Sequence, residues 1–418
     1  MMPRIYRFII HVGLLFCTGC ASFEPFLVSR TPTPVPTKQS TATPQPTMTP
    51  TAPHAAEPRI LRVWLPPQFN PLAENVAADL LLQRLEQFET ENPEIKIEVR
   101  IKKAEAENDF LNSLSITGLA APSVMPDLVA LSRSDLETAV LKGLIHPIDG
   151  LSTELDDPDW YAYARQLGKI QNTGYGLPFA GDVQVFIYYP ELGDIKDWRS
   201  ILASKDPLVF PAGNPQGLLG LSLYTSAGGE ILDAQGLPTL DQELLTRVLA
   251  LFEEGVVSDV LTPSLANVLT EGQALQIYRT GNANKAIIWA FNYHSASDGA
   301  IMPLPGLDDN PYSFGTSWMW ALAGSNPENQ QLAAKLAEYL VAEDFIGEWT
   351  RAAGYLPTRP SAVPEGQRIT AAILESAQPI PSNDVLLVLG PIMQEALTRV
   401  LNGEQAEDVA ASVVEKLR

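Results

Sequence analysis

The residue types that most often carry out catalysis or bind metals are few in this chain and widely separated. Of 418 residues, four are histidine and two are cysteine. The histidines are His11, His54, His146 and His294, and the cysteines are Cys17 and Cys20. Two acidic runs, residues 156–159 and 308–310, have the composition of calcium loops but lack the spacing of an EF-hand. The sequence therefore predicts no catalytic residue, no metal site and no cofactor.

The charge of the chain excludes one broad class of partner. The formal net charge is −21 at pH 7. Such a surface repels nucleic acid and anionic membranes, so we set nucleic-acid binding aside. The acidity is typical of a soluble surface and does not require a cationic ligand. Hydrophobic residues make up 45% of the 418 residues, enough for two or three domains with a sizeable core.

Residues 1–20 have the layout of an export signal peptide. Arg4 and Arg7 provide the positive end, and residues 8–16 form an apolar run too short to span a bilayer. The next residues, CTGCA, resemble a bacterial lipoprotein signal, in which the second cysteine, Cys20, is lipidated. That pattern prefers leucine where Cys17 stands, so an ordinary secretory signal is the alternative. Lipidation predicts a protein tethered to the outer face of the cytoplasmic membrane.

Residues 21–58 are predicted to be a disordered linker. Fifteen of the 23 residues from 31 to 53 are Thr or Pro, a composition that cannot form a packed core. A proline-rich chain extends by about 3 Å per residue, so the linker could hold a folded body well away from a membrane. Both cysteines precede the linker, so the body contains no disulfide.

The folded body opens with alternating strand and helix patterns. Residues 60–65 suit a strand, residues 73–91 have apolar residues at helical spacing, and alternate residues from 95 to 101 are apolar. A second pair follows, with a buried strand over residues 126–131 and a helix opened by a capping box at Ser134. This alternation predicts an α/β fold with a largely parallel sheet. Ligands of such folds bind at the ends of the strands.

Residues 174–190, GYGLPFAGDVQVFIYYP, lie near the middle of the foldable chain. A bend marked by glycine and proline leads into a strand-like run. We interpret residues 176–181 as a flexing connector between two lobes and residues 183–189 as a strand of the second lobe. Asp182, between them, is then delivered to the mouth of a cleft.

The order of these segments resembles the extracellular solute-binding proteins of family 1, the sugar-type, maltose-binding-protein-like receptors of ABC importers. The resemblance covers residues 60–364 well and the last helices more loosely. It rests on FETENPEIKIEV (88–99), PDLVALSRSDLETAVLKGLIHPID (126–149), GYGLPFAGDVQVFIYY (174–189), GNANKAIIWA (281–290) and residues 304–363, which end in LPTRPSAV. Each segment alone is weak evidence, and their common order is strong evidence.

The resemblance implies a two-lobe α/β clamshell of the type II periplasmic-binding-protein class, with three crossings between the lobes. Residues 59–178 and about 290–315 would form lobe I, and residues 181–288 and about 317–418 would form lobe II. A ligand would bind between the lobes, which close by hinge bending. The implied partners are a carbohydrate and the transmembrane subunits of an ABC permease. The protein would be a monomer and would not be an enzyme.

Seven residues are candidate ligand contacts, because sugars need aromatic faces for their C–H surfaces and fixed polar groups for their hydroxyls. Phe69 and Asn70 follow the first strand, Arg133 follows a later strand, Asp182 follows the first crossing, and Tyr224, Tyr293 and Trp318 stand where the family carries stacking aromatics. The alternative interpretations are a surface carboxylate for Asp182, a solvated loop charge for Arg133 and core packing for the aromatic residues. Trp64 and Trp289 are predicted to be core.

Other functions remain open on the sequence alone. The same scaffold could bind a polyamine, which would need several carboxylates in the cleft, or a glycerol phosphate, which would need several basic residues. A glycan-acting surface enzyme would need a pair of carboxylates that no motif marks. A sensory or adhesive lipoprotein could use the clamshell without a transporter.

Overall fold

A computed structural model describes residues 58–102, 109–295 and 299–417. The predicted signal peptide, the lipidation site Cys20 and the linker up to residue 57 lie outside the described residues.

The described chain contains eleven strands and thirteen α-helices. The strands are β1 (Arg59–Leu65), β2 (Ile95–Ile101), β3 (Leu128–Ser132), β4 (Lys169–Ile170), β5 (Thr173–Gly174), β6 (Gly176–Tyr188), β7 (Leu208–Val209), β8 (Lys285–Trp289), β9 (Ala300–Pro303), β10 (Ser313–Leu322) and β11 (Ala377–Pro379). The helices are α1 (Val76–Glu91), α2 (Asp109–Ala120), α3 (Arg133–Leu141), α4 (Ala162–Leu167), α5 (Trp198–Ala203), α6 (Leu218–Ser226), α7 (Gln242–Val257), α8 (Glu271–Arg279), α9 (Pro327–Leu340), α10 (Glu343–Ala353), α11 (Arg368–Glu375), α12 (Asn383–Leu401) and α13 (Ala406–Glu415).

The first βαβ unit forms as its pattern predicts. Asn75 caps α1, because its side chain accepts a hydrogen bond from the backbone N–H of Ala78 at 2.9 Å. The apolar stripe of α1, including Leu81, Leu85 and Phe88, is buried. Strand β1 pairs in parallel with β2 and with β3, as the α/β prediction requires. The predicted fold class is confirmed at this level.

Helix α3 starts earlier than the predicted capping box. Ser132, the last residue of β3, is the cap, and its hydroxyl accepts a hydrogen bond from the backbone N–H of Asp135 at 3.1 Å. Arg133 is therefore the first helical residue rather than a loop residue. The cap at Ser132 shortens the turn between β3 and α3. Ser132, Arg133 and Ser134 therefore all lie at the end of the strand.

Strand β6 joins the two halves of the main sheet. The sheet runs β2-β1-β3-β10-β6-β8-β7, with β11 beside β10 and β9 beside β6. The first part of β6, from Gly176 to Val183, pairs with β10, and the last part, from Gln184 to Tyr188, pairs with β8. The predicted flexing connector at residues 176–181 is therefore part of a continuous strand.

The glycines of this strand are explained by close packing rather than by a bend. A Cβ atom at Gly181 would lie 2.4 Å from the hydroxyl oxygen of Tyr163, and one at Gly176 would lie 2.9 Å from Cβ of Met319. No side chain fits at either distance without a shift of its neighbours. Glycine at these positions lets the helix and strand neighbours of β6 approach it.

Helix packing differs from the predicted lobe boundaries in two places. Helices α9 and α10 pack against β1 and α1, and the buried stripe of α9 contains Ala333, Leu336 and Leu340. The prediction had placed all of residues 317–418 in lobe II. Strand β9 pairs with the last part of β6, although residues 290–315 were predicted for lobe I. Apolar periodicity indicates that a face is buried but not which lobe covers it. The assignment of α9, α10 and β9 to a lobe therefore depends on their tertiary contacts.

We therefore describe lobe I as β1–β3, the first part of β6, β10, α1–α3, α9 and α10. Lobe II contains the last part of β6, β7–β9, α5–α8 and α11–α13. The number of crossings stays a prediction. Within the described ranges, no helix has the length and apolar character needed to span a membrane.

Candidate functional site

Asp182 lies where β6 passes from one sheet half to the other. It faces Thr316 of β10 in the ladder, whereas Gln184 already faces Trp289 of β8. Oδ1 of Asp182 accepts hydrogen bonds from the backbone N–H groups of Val183 and Phe291, both at 3.0 Å. The carboxylate is thereby fixed in one orientation at the junction of the lobes.

Burial changes the titration of this carboxyl group. Desolvation raises the pKa of Asp182 to about 7, while backbone N–H groups of Phe291, Val183 and Ala290 oppose the rise. When ionised, the side chain carries a charge that its described surroundings compensate with backbone dipoles. Such a group gains from a ligand that donates hydrogen bonds or carries positive charge.

A cavity of about 250 Å³ adjoins Asp182, and we call it the Asp182 cavity. Both lobes contribute to its wall, because β3 and α3 supply one side and α12 supplies another. Its lining residues are Ser132, Arg133, Ser134, Asp182, Gln216, Trp289, Thr316, Ile380, Pro381, Asn383 and Leu386. The predicted position at the C-terminal end of β3 is therefore part of a cavity wall.

Arg133 lines the Asp182 cavity, but its guanidinium is already bonded within lobe I. Its Nε donates to Oε1 of Glu137 at 2.8 Å, and one terminal nitrogen donates to the carbonyl oxygens of Leu167 and Lys169, the latter at 3.0 Å. Burial lowers the pKa of Arg133, and the Glu137 carboxylate opposes that change. Arg133 thus ties α3 to the end of α4 and to the start of β4.

A second cavity of about 300 Å³ lies in lobe II, and we call it the Glu271 cavity. It is lined by Gln184, Phe210, Pro211, Asn214, Gln216, Leu218, Leu219, Thr270, Glu271, Ile287 and Trp289. Two oxygen atoms in this lining are buried without a hydrogen-bond partner among the described residues: Oε2 of Glu271 and Oε1 of Gln184. Unpaired buried acceptors of this kind are uncommon in proteins.

The two cavities share Gln216 and Trp289, so they adjoin. Trp289 was predicted to be core, but it is half-buried and lies in both walls. The pKa of Glu271 is raised to about 8, chiefly by burial and in smaller part by the charge of Asp182, while the backbone N–H of Trp289 opposes the shift. The two carboxyl groups are therefore close enough to influence each other across the shared wall.

Trp318 and Phe69 belong to one aromatic cluster. Their rings meet edge to face, with centroids 5.1 Å apart. Phe69 is 3% exposed and packs as a core residue beneath Trp318, which is half-buried. The structure thus brings these two predicted residues together, with Trp318 nearer the surface.

A second aromatic pair stands beside Asp182. Phe291, whose backbone binds Asp182, stacks on Tyr355 with ring centroids 4.6 Å apart, and Phe291 is 40% exposed. Burial raises the pKa of Tyr355, and the Asp182 charge raises it further, so the phenol stays neutral. Neither residue was among the predicted contacts, yet both place aromatic surface next to the carboxylate.

The other three predicted contacts, like Phe69 and Trp318, lie outside the lining of both cavities. Tyr224 is 0% exposed, and its hydroxyl accepts from Asp241 N at 2.7 Å and donates to the Glu230 carbonyl at 3.2 Å. The hydroxyl of Tyr293 donates to the Gly299 carbonyl at 2.8 Å. Asn70 accepts from the backbone N–H of Leu72 at 3.0 Å. Each makes local bonds that stabilise its own segment, so none of the three enters the site proposed below.

A model of a protein family matches residues 83–374, which is more than half of the 418-residue chain. Its description is bacterial extracellular solute-binding protein. The chain belongs to this family. The resemblance found in the sequence is confirmed at this level, and an extracytoplasmic location follows from the family. A search of curated protein sequences found no match.

Solved structures of solute-binding proteins share the fold. A cyclo/maltodextrin-binding protein complexed with maltotetraose is 19% identical with a TM-score of 0.70, covering 86% of this chain and 97% of that one. The cyclic alpha-maltosyl-1,6-maltose binding protein of Arthrobacter globiformis is 14% identical with a TM-score of 0.69, covering 86% and 99%. The maltose-bound MalE3 of T. maritima is 17% identical with a TM-score of 0.63, covering 86% and 98%. At these identities the similarity establishes the two-lobe fold.

The lobes of this solute-binding protein touch beside the cleft at Glu137 and Asn383. The backbone N–H of Asn383, at the start of α12, donates to Oε2 of Glu137 in α3 at 2.7 Å. The carboxamide of Asn383 donates to the carbonyl of Ser134 at 2.9 Å. Helix α3 packs on β3 and β10, whereas α12 packs on α6, α7 and α13. These two hydrogen bonds therefore cross from lobe I to lobe II.

Sequence reasoning missed Glu271 and Gln184, the two unpaired acceptors of the Glu271 cavity. Glu271 follows the cap Thr270 in the first turn of α8, where an acidic residue is typical of any helix. Gln184 is one residue of a strand with no motif around it. The available signal was weak: Gln184 is the one amide side chain within the apolar run of β6. Among the described residues, no group of three or more His, Cys, Asp or Glu is arranged to hold a metal ion.

Proposed function

We propose that this solute-binding protein binds a carbohydrate in the cleft formed by the Asp182 and Glu271 cavities. The observation that carries the proposal is the combined lining of these adjoining cavities, which includes two carboxyl groups, the amides of Gln184 and Gln216, and the indole of Trp289. Carboxylate and amide oxygens accept hydrogen bonds from sugar hydroxyls, and the indole face packs on C–H surfaces. Two of the solved relatives are complexes with maltose and maltotetraose, which supports the same ligand class.

The size and composition of the cleft suit a small polar ligand. Each cavity is near the lower end of the range of about 300–1,000 Å³ for small-molecule sites. Hydroxyl groups of Ser132, Ser134 and Thr316 line the Asp182 cavity. Phe291 and Tyr355 add a partly exposed aromatic pair beside the same carboxylate. A glycerol phosphate is disfavoured, because the charged lining groups are two acids and the internally bonded Arg133.

The proposed biological role is delivery of the ligand to an ABC importer. A ligand in the cleft would contact both the Ser132 end of β3 and the start of α12, so a filled site would stabilise the closed form further. A permease that recognises the closed form would then accept loaded receptors. Lipidation at Cys20 and a tether of residues 21–58 would keep the receptor near that permease. Monomeric action is part of the same proposal.

Binding rather than turnover is proposed for the cleft. The family and the structural relatives are solute-binding proteins, which favours a receptor over a glycan-cleaving enzyme. Incubation with labelled oligosaccharides tests this directly. A receptor returns the oligosaccharide unchanged, and release of shorter products would contradict the proposal.

The ligand class can be tested by a thermal-shift screen of the purified protein. The screen includes neutral mono- and oligosaccharides, polyamines and phosphate esters. A ligand at a hundredfold excess over its Kd raises the free energy of unfolding by about 2.7 kcal/mol. We expect stabilisation by a subset of the sugars. Stabilisation by phosphate esters or polyamines alone would overturn the carbohydrate proposal.

A further inference from the structure

The Glu271 cavity contains an acidic side chain and no positive side chain that could compensate its ionised form. Glu271 is the one charged residue in its lining, which includes no Lys, Arg or His. Oε2 of Glu271 is buried without a partner among the described residues. Asp182, in the adjoining cavity, adds a second negative charge. The structure therefore presents an electrostatically unsatisfied site.

The one cationic side chain in the adjoining lining is already paired elsewhere. Arg133 is ion-paired with Glu137 at 2.8 Å and donates further hydrogen bonds to backbone carbonyls. The backbone N–H of Trp289 and the N-terminus of α8 provide partial positive charge to Glu271. Neither provides a donor to Oε2. A carboxylate buried without a counter-charge is costly, so Glu271 holds a proton near neutral pH unless a cationic ligand compensates its charge.

Gln184 provides an independent sign of a missing donor. Its side chain is 4% exposed, lines the same cavity, and has an Oε1 atom with no hydrogen-bond partner in the described chain. Trp289 and Phe210 supply aromatic surface in the same wall. One group satisfies all three features: an ammonium has three N–H donors, carries a positive charge and binds aromatic faces. A hydroxyl would provide a single donor and leave the charge uncompensated.

We propose that the Glu271 cavity holds the protonated primary amine of an amino sugar, with Oε2 of Glu271 and Oε1 of Gln184 accepting two of its hydrogens. This inference rests on the proposed carbohydrate function and narrows its ligand class. The hydroxyl-lined Asp182 cavity would take the neutral part of the same ligand. Burial keeps the pKa of Glu271 raised, to about 8, in the ligand-free protein, and a bound ammonium would lower this pKa and favour the ionised carboxylate.

The test is calorimetric binding at pH 7 with ligands matched in all but charge. Glucosamine, galactosamine and β-1,4-linked glucosamine oligomers are each compared with their N-acetyl forms, and neutral maltodextrins and cellodextrins are included. We expect at least one amine form to bind the wild-type protein at least tenfold more tightly than its N-acetyl form. Glu271→Gln should lower affinity for that amine at least tenfold and change binding of N-acetyl or neutral sugars by less than threefold.

Glu243→Gln is the matched control, because Glu243 stands in the first turn of α7 as Glu271 does in α8, but is exposed and outside both cavities. The control should bind like the wild type. The comparison of amine and N-acetyl forms on the wild-type protein keeps the test decisive even if Glu271→Gln does not fold.

The possible failures are distinguishable. If neutral or N-acetyl sugars bind as well as the amines, or if Glu271→Gln binds the amines normally, the amino-sugar inference is overturned and the carbohydrate function stands. If no sugar of any kind binds, or if spermidine binds more tightly than every sugar, the carbohydrate function itself fails.

Discussion

The backbone N–H of Asn383 donates a 2.7 Å hydrogen bond to Oε2 of Glu137, and this bond joins the first turn of α12 to α3 across the two lobes. The acceptor is a 7%-exposed carboxylate that also binds Arg133. A charged acceptor makes this contact stronger than a neutral hydrogen bond, by roughly a factor of two. We expect it to favour the closed arrangement of the lobes.

Asn383→Pro tests the contribution of this bond to ligand binding. Proline is well tolerated at the first position of a helix, and the preceding Ser382 already has an extended backbone with ψ of 159°. The variant removes the N–H donor and the carboxamide without disrupting α12. Loss of a hydrogen bond to a charged group, about 1.5–3 kcal/mol, predicts ligand affinity lower by about ten- to hundredfold.

Asn383→Ala is the control, because it keeps the N–H bond to Glu137 and loses only the bond to the Ser134 carbonyl. Small-angle scattering of both ligand-free variants should show a larger radius of gyration for Asn383→Pro. Equal affinities for the two variants would show that the Glu137 contact does not contribute to closure.

Asp182→Asn should weaken ligand binding while leaving the fold intact. The backbone hydrogen bonds from Val183 and Phe291 reach Oδ1, and an asparagine Oδ1 can accept these two bonds. The ligand, in contrast, loses a charged acceptor, which predicts affinity lower by about ten- to hundredfold. Asp308→Asn, at an exposed ion pair with Arg247, provides a control that should bind normally. Unchanged affinity of Asp182→Asn in a titration would remove this residue from the site.

The two carboxyl groups predict a dependence of stability on pH. The pKa values of Asp182 and Glu271 rise from 3.8 to about 7 and from 4.5 to about 8, so the folded ligand-free protein holds more protons than the unfolded chain between these values. Stability from these groups is therefore full below pH about 4 and falls as the pH rises to about 8. Urea unfolding should show this decline in the wild type. The Asp182→Asn, Glu271→Gln double variant should have a flatter profile, and parallel profiles would contradict the assignment.

Gly181→Ala should destabilise the protein because its Cβ would meet the hydroxyl oxygen of Tyr163 at 2.4 Å. Overpacking of this kind costs about 1–3 kcal/mol. The Tyr163 hydroxyl has no hydrogen-bond partner among the described residues, so Tyr163→Phe removes the clash at little cost. The double variant Gly181→Ala, Tyr163→Phe should recover part of the loss in thermal unfolding. A double variant no more stable than Gly181→Ala would place the strain elsewhere, for example at the Leu356 carbonyl, 3.0 Å away.

Much of the fold was predictable because local patterns report local burial. The apolar stripe of α1, the alternation in β2, and the Asn326 cap with Pro327 in the first turn of α9 predicted elements that the structure contains. The lobe to which α9 belongs was not predictable, since its stripe would be equally apolar against either lobe. The continuity of β6 was also not predictable from the sequence, because a glycine that permits close packing cannot be distinguished there from a glycine that permits a bend.

By itself, the sequence determined the family, the α/β order of the chain and the position of Asp182 between two strand segments. The tertiary structure decided which acidic and amide groups meet. Gln184 and Glu271 come from distant parts of the chain and line one cavity only because β6 pairs with β8 and α8 precedes β8 in lobe II. Tyr224 was predicted to contact the ligand, but it lies in the core, where its hydroxyl forms hydrogen bonds with the backbone of Asp241 and Glu230. Periodicity encodes whether a face is buried, while strand register and helix packing determine what each buried group faces.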